Sequence, residues 1–311
     1  MKTEVKPEAM SKIAPSARCG LQSESKAESQ SEPRKLTLNV LVCCYADSVY
    51  EVPALLLPQR DDVRYFISHQ HPEGWDKDMP DILLDREDVY LSSFVGRGIS
   101  QNRNHALEML ISIIGRRNGT LPLEVIGGSD DTFGEICLVA DDDVKYTEES
   151  FDTVLNAYRQ YSQADMIFFK IAASYGDRPF KDYSDRSRWI TKPVLSGKGY
   201  LSSIEMSFRF APVFQNGIVF DEDFGIGSAA HPEGGEETVF LHDCLCSGMK
   251  ALYLPEFIVS HPFESTGKAG KTVAKADMML AVCQRTVGTF SFETFKAALR
   301  CIYRRLCRLC Q

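Results

Sequence analysis

Apolar runs alternate with amphipathic segments through most of the chain. The runs at residues 36–45, 63–69, 89–94, 136–140 and 166–171 are short, as expected for strands of a buried sheet. Two segments between them repeat apolar residues every three or four positions, which is typical of helices with one buried face. This order of strands and helices predicts an α/β fold, with a mainly parallel sheet and helices on both of its faces.

Capping residues mark where these two helices begin. Ser100 is the predicted N-cap of the first helix, which Gly115 is expected to end, and Thr147 is the predicted N-cap of the second. The predicted buried faces carry Leu107, Leu110, Ile111 and Ile114 in the first helix and Phe151, Val154, Leu155 and Tyr158 in the second.

The second half of the chain is less regular. Residues 172–200 are polar and without a period, which predicts a long surface loop. Apolar and polar residues alternate over 204–210, which predicts a half-buried strand. A glycine-rich stretch, 224–235, leads into a predicted helix from Glu236 to Gly248. Residues 251–259 predict a further strand, which Pro255 would place at a sheet edge.

The two ends of the chain differ from the middle. Residues 1–35 contain almost no large apolar residues and are predicted to form a disordered tail. Ser291 is the predicted cap of a final helix with a basic, amphipathic pattern. Its apolar residues are Phe292, Phe295, Leu299, Ile302, Leu306 and Leu309, and its basic residues are Lys296, Arg300, Arg304, Arg305 and Arg308.

The pattern of this final helix leaves two interpretations open. The helix would lie on an anionic membrane surface, or it would pack on the rest of the protein with its basic face in water. Cys307 and Cys310 in the same helix have the C-x-x-C spacing of zinc ligands, but no second cysteine pair lies nearby. A zinc site is therefore not expected there.

Composition narrows the class of protein. The chain has 311 residues and a net charge of −8, which argues against a nucleic-acid binder. No apolar stretch is long enough to span a membrane, and no apolar signal segment stands at the N-terminus, so we expect a cytoplasmic protein. Its ten cysteines are then expected to be free thiols.

Three consecutive aspartates, Asp141, Asp142 and Asp143, directly follow the apolar run 136–140. Three carboxylates so close together repel one another unless a positive charge lies among them. A divalent cation, Mg²⁺ or Mn²⁺, would supply that charge, and such cations often share their oxygen ligands with a phosphate. The alternative is a solvated acidic turn that caps the next helix, although a cap needs only one of the three.

Later in the chain, Glu236 and Glu237 follow two glycines at a predicted helix start. A carboxylate held there can act as a general base toward a hydroxyl group, although acidic residues are also common at helix N-termini for electrostatic reasons alone. His261 follows the last predicted strand. It is either a metal ligand or, as is more usual for a single histidine, a structural residue.

Other polar groups stand at further strand ends and at a helix start. Residues 98–104 place Arg103 and Asn104 at the start of a predicted helix, which favours anion binding there, or else capping by the amides and a solvated arginine. Residues 44–47 and 68–70 follow the first two predicted strands, where doubly wound folds hold a nucleotide. The candidates in these segments are Tyr45, Ser68, His69 and Gln70.

Taken together, the order of these motifs resembles a family 2 glycosyltransferase of the GT-A fold, in particular the bacterial envelope-polysaccharide type. The resemblance covers roughly residues 36–265, which would form a GT-A catalytic domain, followed by a C-terminal helical extension over 266–311. Its most specific part is the aspartate run combined with the later acid pair. No Gln-x-x-Arg-Trp motif of processive synthases follows the acid pair, so transfer of a single sugar is expected.

The resemblance implies a role for each candidate. Asp143, with Asp141 and His261, would bind Mn²⁺ or Mg²⁺, and Glu237 would be the general base, with Glu236 as the alternative. The nucleotide-sugar would contact Asp141, Asp142, Arg103, Asn104, Tyr45, Ser68, His69 and Gln70. The acceptor would be a glycan or a lipid-linked hydroxyl, and inversion at the anomeric carbon is implied. The protein would then be cytoplasmic, or peripheral on the inner face of the membrane.

Two rival functions remain. A sugar-1-phosphate nucleotidyltransferase would also use strand-end acids and Mg²⁺, but it usually has a glycine-rich, lysine-bearing loop after the first strand, where this chain has residues 44–47 without glycine. A non-catalytic nucleotide-sugar-binding relative would tolerate neutralisation of Glu236 and Glu237.

Overall fold

The computed structural model describes residues 35–117, 134–173, 180–194, 199–262 and 273–309. The predicted tail therefore lies outside the described residues except for Lys35. The predicted boundary between catalytic domain and helical extension, near 265, also lies outside them and stays a prediction. Within the described part of the chain, no helix is both long enough and apolar enough to cross a membrane.

Eight strands of the described residues form one sheet. They are β1 (Thr37–Tyr45), β2 (Val63–His71), β3 (Val89–Val95), β4 (Glu135–Asp141), β5 (Met166–Ala173), β6 (Arg188–Ile190), β7 (Met206–Arg209) and β8 (Ala251–His261). Their order across the sheet is β3-β2-β1-β4-β7-β5-β8-β6. Strand β7 is antiparallel to both of its neighbours and β6 is antiparallel to β8, while the other pairs are parallel.

The described helices cover both faces of this sheet. They are α1 (Asp81–Asp85), α2 (Ile99–Arg117), α3 (Glu148–Gln160), α4 (Phe210–Gln215), α5 (Glu236–Cys246), α6 (Val273–Val287) and α7 (Phe292–Leu309). Val40 of β1 packs in the core on the α3 side, whereas its neighbour Leu41 packs in the core on the α2 side. Because successive residues of a strand point to opposite faces, a strand covered on both faces needs apolar residues on both, as β1 has over residues 40–44.

The predicted parallel strands and the second predicted helix are confirmed. Thr147 caps α3, since its Oγ1 accepts a hydrogen bond of 3.2 Å from the backbone N–H of Ser150. The predicted apolar face of α3, including Phe151 and Tyr158, is completely buried. The fold is therefore the predicted α/β type, with a mostly parallel sheet between helices.

The predicted start and end of α2 are wrong. Ser100 lies inside the first turn, and its hydroxyl donates to the carbonyl of Phe224 at 2.6 Å instead of capping the helix. The helix also continues through Gly115 to Arg117. One glycine lowers helix stability by only about 1 kcal/mol, which neighbouring turns and packing can offset.

Three predictions for the second half of the chain also need correction. The segment 172–200 is not only a loop, because it contributes edge strand β6. Strand β8 therefore lies inside the sheet, and its pairing with β5 is irregular around Pro255. The alternating segment 204–210 is not half-exposed, because β7 runs through the middle of the sheet with both faces buried.

The start of α5 depends on a close approach to α6. Gly235 has φ of 95°, a conformation that residues with a Cβ rarely adopt. A Cβ at this position would lie only 2.6 Å from Cγ2 of Val282 in α6. A glycine is therefore required here for both backbone and packing reasons.

We expect Gly235→Ala to lower the free energy of unfolding by about 2–4 kcal/mol, because it adds overpacking to the strain of a positive φ. Gly248→Ala is the matched control, since Gly248 has φ of 89° but no atom within 4 Å of the added Cβ. It should carry the backbone strain alone. Denaturant unfolding of both variants measures the difference, and equal losses would contradict the packing argument.

Candidate active site

A cavity of about 750 Å³ lies at the carboxyl ends of β1 and β4 and beside the first turns of α2 and α5. In open α/β sheets, ligands bind outside the carboxyl ends of the strands. The predicted site residues that line the cavity are Tyr45, Gln70, Arg103, Asp141, Asp142, Asp143, Glu236, Glu237 and His261. The structure thus brings together side chains that are separated by more than two hundred positions in the sequence.

Arg103 joins the aspartate run to the acid pair. Its Nη2 lies 3.3 Å from Oδ1 of Asp141, and its Nη1 donates to Oε1 of Glu236 at 2.7 Å. The guanidinium is only 2% exposed. Burial alone would lower the pKa of Arg103, but the charges of Glu236 and Asp141 outweigh burial and raise it. The guanidinium therefore stays charged and holds the two carboxylates in fixed positions.

Asp142, just after β4, is hydrogen-bonded to the segment that follows β1. Its carboxylate accepts a hydrogen bond from the hydroxyl of Ser48, and the same Ser48 Oγ accepts from the backbone N–H of Tyr45 at 2.8 Å. Burial raises the pKa of Asp142 to about 6, although the Ser48 hydrogen bond opposes the rise. Burial also raises the pKa of Asp141 despite the charge of Arg103.

Asp143 and His261 form a mixed oxygen and nitrogen donor pair at the cavity. Oδ1 of Asp143 lies 3.1 Å from Nε2 of His261, while Nδ1 of His261 lies 2.6 Å from the carbonyl oxygen of Pro262. Burial by itself would lower the pKa of His261, but the contact with Asp143 raises it. Among the residues that the structure describes, no three His, Cys, Asp or Glu side chains converge as a complete protein metal site requires.

Glu237 has a different hydrogen-bond partner from Glu236. Its Oε1 accepts a hydrogen bond from the hydroxyl of Tyr200, and the side chain lies in the first turn of α5. Burial raises the pKa of Glu237, and the positive charges of Arg103 and Lys181 offset only part of this rise. Among the described residues Glu237 has no ion-pair partner at hydrogen-bond distance, and such a buried carboxyl group is better suited to exchange a proton than the paired Glu236.

A network of polar side chains that sequence patterns did not predict holds Tyr200 in place. Lys181 donates to the carbonyl of Tyr200 at 2.7 Å and forms an ion pair of 2.6 Å with Glu205. Glu205 is completely buried and also accepts hydrogen bonds from Tyr183 and from the backbone of Ser202. Burial lowers the pKa of Lys181 although Glu205 opposes this. A lysine within a polar segment gave no signal of this role.

The first turn of α2 is fixed against the strand ends by amide side chains. Gln70 accepts from the backbone N–H of Gly98 at 2.9 Å, and Asn102 donates to the carbonyl of Cys44 at 2.9 Å. Oδ1 of Asn102, Nε of Arg103 and Oε2 of Glu236 are buried and without a hydrogen-bond partner among the described residues. Because buried polar atoms are normally paired, these three indicate where water or a ligand would bind.

Three predicted ligand-binding residues do not reach the cavity. Ser68 Oγ lies 2.7 Å from Nδ1 of His105, and the ring of His69 lies between the carbonyl of Ala46 and the hydroxyl of Ser93, at 3.0 Å from each. Asn104 instead bonds to both the N–H and the carbonyl of Phe220. All three stabilise neighbouring segments, so the position at a strand end or helix start was not sufficient evidence for ligand contact.

The cavity is also lined by a buried cysteine. Cys43 of β1 is 3% exposed, and burial raises its pKa to about 12. Since the thiolate is the reactive form of cysteine, this side chain acts as a small apolar residue, as the apolar pattern of β1 predicted.

Sequence comparison does not place the chain in a family. No model of a known protein family matches it. No curated protein matches its sequence either.

Comparison of folds does find similar structures. Residues 1–349 of TarS from S. aureus, a glycosyltransferase, match with a TM-score of 0.52 and 14% identity over 88% of this chain and 72% of that one. The same part of TarS in complex with UDP-GlcNAc matches with a TM-score of 0.50 and 14% identity, over 84% and 69% of the two chains. Its complex with UDP gives 0.50 and 15%, over 84% and 68%. The chain therefore has a GT-A-like fold.

We expect Arg103→Met to lower the free energy of unfolding by about 3–5 kcal/mol at neutral pH, because Glu236 is then buried without its partner. Arg103→Met combined with Glu236→Gln should recover part of the loss, since the unpaired charge is gone. Denaturant unfolding of both variants at neutral pH measures the two losses; a loss that the second substitution leaves unchanged would contradict the charge argument.

Proposed function

We propose that the protein is a metal-dependent family 2 glycosyltransferase that moves one sugar from a nucleotide-sugar to an acceptor hydroxyl. The observation that carries the proposal is the juxtaposition, around one cavity, of the Asp141–Asp143 run with His261 and of the acid pair Glu236 and Glu237. The first set of residues would bind the negatively charged donor through a cation. The second set would take up the proton that the acceptor hydroxyl must lose. The GT-A-like fold agrees with this division of roles.

The donor would enter at the ends of β1 and β4. TarS was crystallised with UDP-GlcNAc and with UDP, so a UDP-sugar, in particular a UDP-hexose, is the first donor to test here. Tyr45 and Asp142 would lie beside the nucleoside, because both stand at the strand ends that border the cavity. Asp141 would accept a hydrogen bond from the ribose while Arg103 fixes its carboxylate.

Asp143 and His261 are the residues that would hold a divalent cation. Carboxylate oxygen suits Mg²⁺ and Mn²⁺, and the imidazole nitrogen favours Mn²⁺ of the two. Because no three such side chains converge among the described residues, the diphosphate of the donor would have to supply further ligands, as is usual for such ions. When bound, the cation neutralises negative charge on the departing nucleoside diphosphate.

Glu237 would act as the general base. Its carboxylate accepts the proton of the acceptor hydroxyl, the hydroxyl oxygen bonds to the anomeric carbon, and the bond from that carbon to the diphosphate breaks. A direct displacement of this kind inverts the anomeric carbon, as the family 2 resemblance implies. Glu236 is assigned to positioning, because Arg103 occupies its Oε1.

The acceptor is proposed to be an envelope glycan or a lipid-linked saccharide. The motif resemblance to envelope-polysaccharide transferases motivates this class. A peripheral position at the inner face of the membrane would fit such an acceptor.

We expect the protein to release nucleoside diphosphate when UDP-, GDP- and dTDP-sugars are supplied with Mn²⁺, with one donor strongly preferred. A chelator removes the cation and Asp143→Asn removes one of its ligands, so each should abolish most of the release. Asp76→Asn, an exposed aspartate, is the matched control and should keep full activity. Release of pyrophosphate from a sugar phosphate and nucleoside triphosphate would instead indicate a nucleotidyltransferase.

We expect Glu237→Gln to lower kcat by about 10²–10⁴-fold, the usual contribution of a general base. In the wild type, kcat/KM should rise with pH because the base must be ionised to accept a proton. The midpoint of this rise should lie above the ordinary glutamate pKa of about 4.3, because burial raises the pKa of Glu237. The exposed Glu149, in the first turn of α3, provides the control Glu149→Gln. Full activity of Glu237→Gln in the presence of donor and acceptor would exclude Glu237 as the base.

A further inference from the structure

Helix α7 packs on α6 through its small residues. Ala297 is 2% exposed, Cys301 is 5% exposed, and Sγ of Cys301 donates to the carbonyl of Ala276 at 3.0 Å. Arg305 forms an ion pair of 3.0 Å with Asp277 of α6. Small side chains let two helices approach closely, so the contact uses the alanine and cysteine positions and leaves the large apolar residues elsewhere.

The large apolar residues of α7 are exposed to solvent. Phe292 is 64%, Phe295 59%, Leu299 49% and Ile302 55% exposed. Their spacing of three, four and three residues places them on a single stripe of the helix. Phe290, just before the helix, is completely exposed. Single exposed apolar residues are normal, but a continuous stripe of this kind marks a binding surface.

Basic residues border the stripe. Nζ of Lys296 lies 4.1 Å from the ring centroid of Phe292, and Arg300 follows one turn later and is exposed. In sequence, α7 contains five basic residues and one acid, Glu293, although the chain as a whole has a net charge of −8. At physiological ionic strength charges act over only about 8 Å, so the local basic charge decides what this surface attracts.

We propose that Phe290 and the exposed stripe of α7 dock on an anionic membrane surface. The apolar stripe would enter the interface between headgroups and acyl chains, while Lys296 and Arg300 contact the anionic headgroups. A second copy of the chain is a poorer occupant, because pairing two such stripes brings the basic rows of both helices together. The docking proposal does not depend on the proposed enzymatic function.

Docking through α7 would also orient the cavity. Met278 and Met279 of α6 line the cavity, and α7 lies on α6. The cavity is thus about one helix diameter, roughly 10 Å, from the docked helix. The membrane surface would lie on the far side of α7, about two helix diameters, roughly 20 Å, from the cavity.

The test is co-sedimentation of the full chain with vesicles of phosphatidylcholine alone or mixed with phosphatidylserine. The wild type is expected to bind the mixed vesicles, and to release them as salt rises. The triple variant Phe295→Gln, Leu299→Gln, Ile302→Gln should bind at least about tenfold more weakly, since it removes the apolar contact. Lys296→Glu with Arg300→Glu should also lower binding at least about tenfold.

Matched controls change exposed residues elsewhere. Leu84, 61% exposed, provides the apolar control Leu84→Gln, and Arg186→Glu with Lys192→Glu is the control for charge reversal. All variants alter exposed side chains, and an unchanged thermal midpoint verifies their folding. Failure of the wild type to bind mixed vesicles, or wild-type binding by the triple variant, would overturn the proposal. So would a dimer that sedimentation shows to depend on the stripe, if vesicles are not bound.

Discussion

The arrangement of the site depends on one buried cation, the guanidinium of Arg103. It lies between Asp141 at the end of β4 and Glu236 at the start of α5, and almost no solvent reaches it. Without the guanidinium, the half-buried carboxylate of Asp141 and the buried carboxylate of Glu236 would repel each other. The bridge therefore sets the relative positions of the aspartate run and the acid pair, which come from distant parts of the sequence.

The remaining contacts around Arg103 make this bridge rigid. Helix α2 carries Arg103, and its first turn is fixed to β1 and β2 by Asn102 and Gln70. The loop before α5 approaches the same turn, where Ser100 donates to the carbonyl of Phe224. A charge pair in a buried site stabilises only when its geometry is well fixed, and these hydrogen bonds fix it. Ser100 therefore contributes to the site even though it is not the N-cap that its sequence context predicted.

Sequence predicted the elements of the site better than its side-chain contacts. Apolar runs that are buried on both faces identify parallel strands, and parallel strands end at one edge, so the position of Asp141–Asp143 followed directly. Contacts depend on which way each side chain points. His69 and Gln70 are adjacent and point to opposite faces of β2, so only Gln70 reaches the cavity. The Lys181–Glu205 pair was missed for another reason: a buried ion pair across an irregular segment leaves no periodic pattern.

The apolar pattern of helix α7 does not determine which of its faces is buried. The spacing of its apolar residues predicts one apolar face, and a buried apolar face is the usual outcome in a globular protein. Packing against α6 instead selects the face with Ala297 and Cys301, because those residues permit close contact, and turns Phe295 and Leu299 outward. Residue volume, rather than hydrophobicity alone, thus determined which face is buried. Since α6 lines the cavity and α7 packs on α6, these two helices would separate whatever covers the exposed face of α7 from the candidate active site.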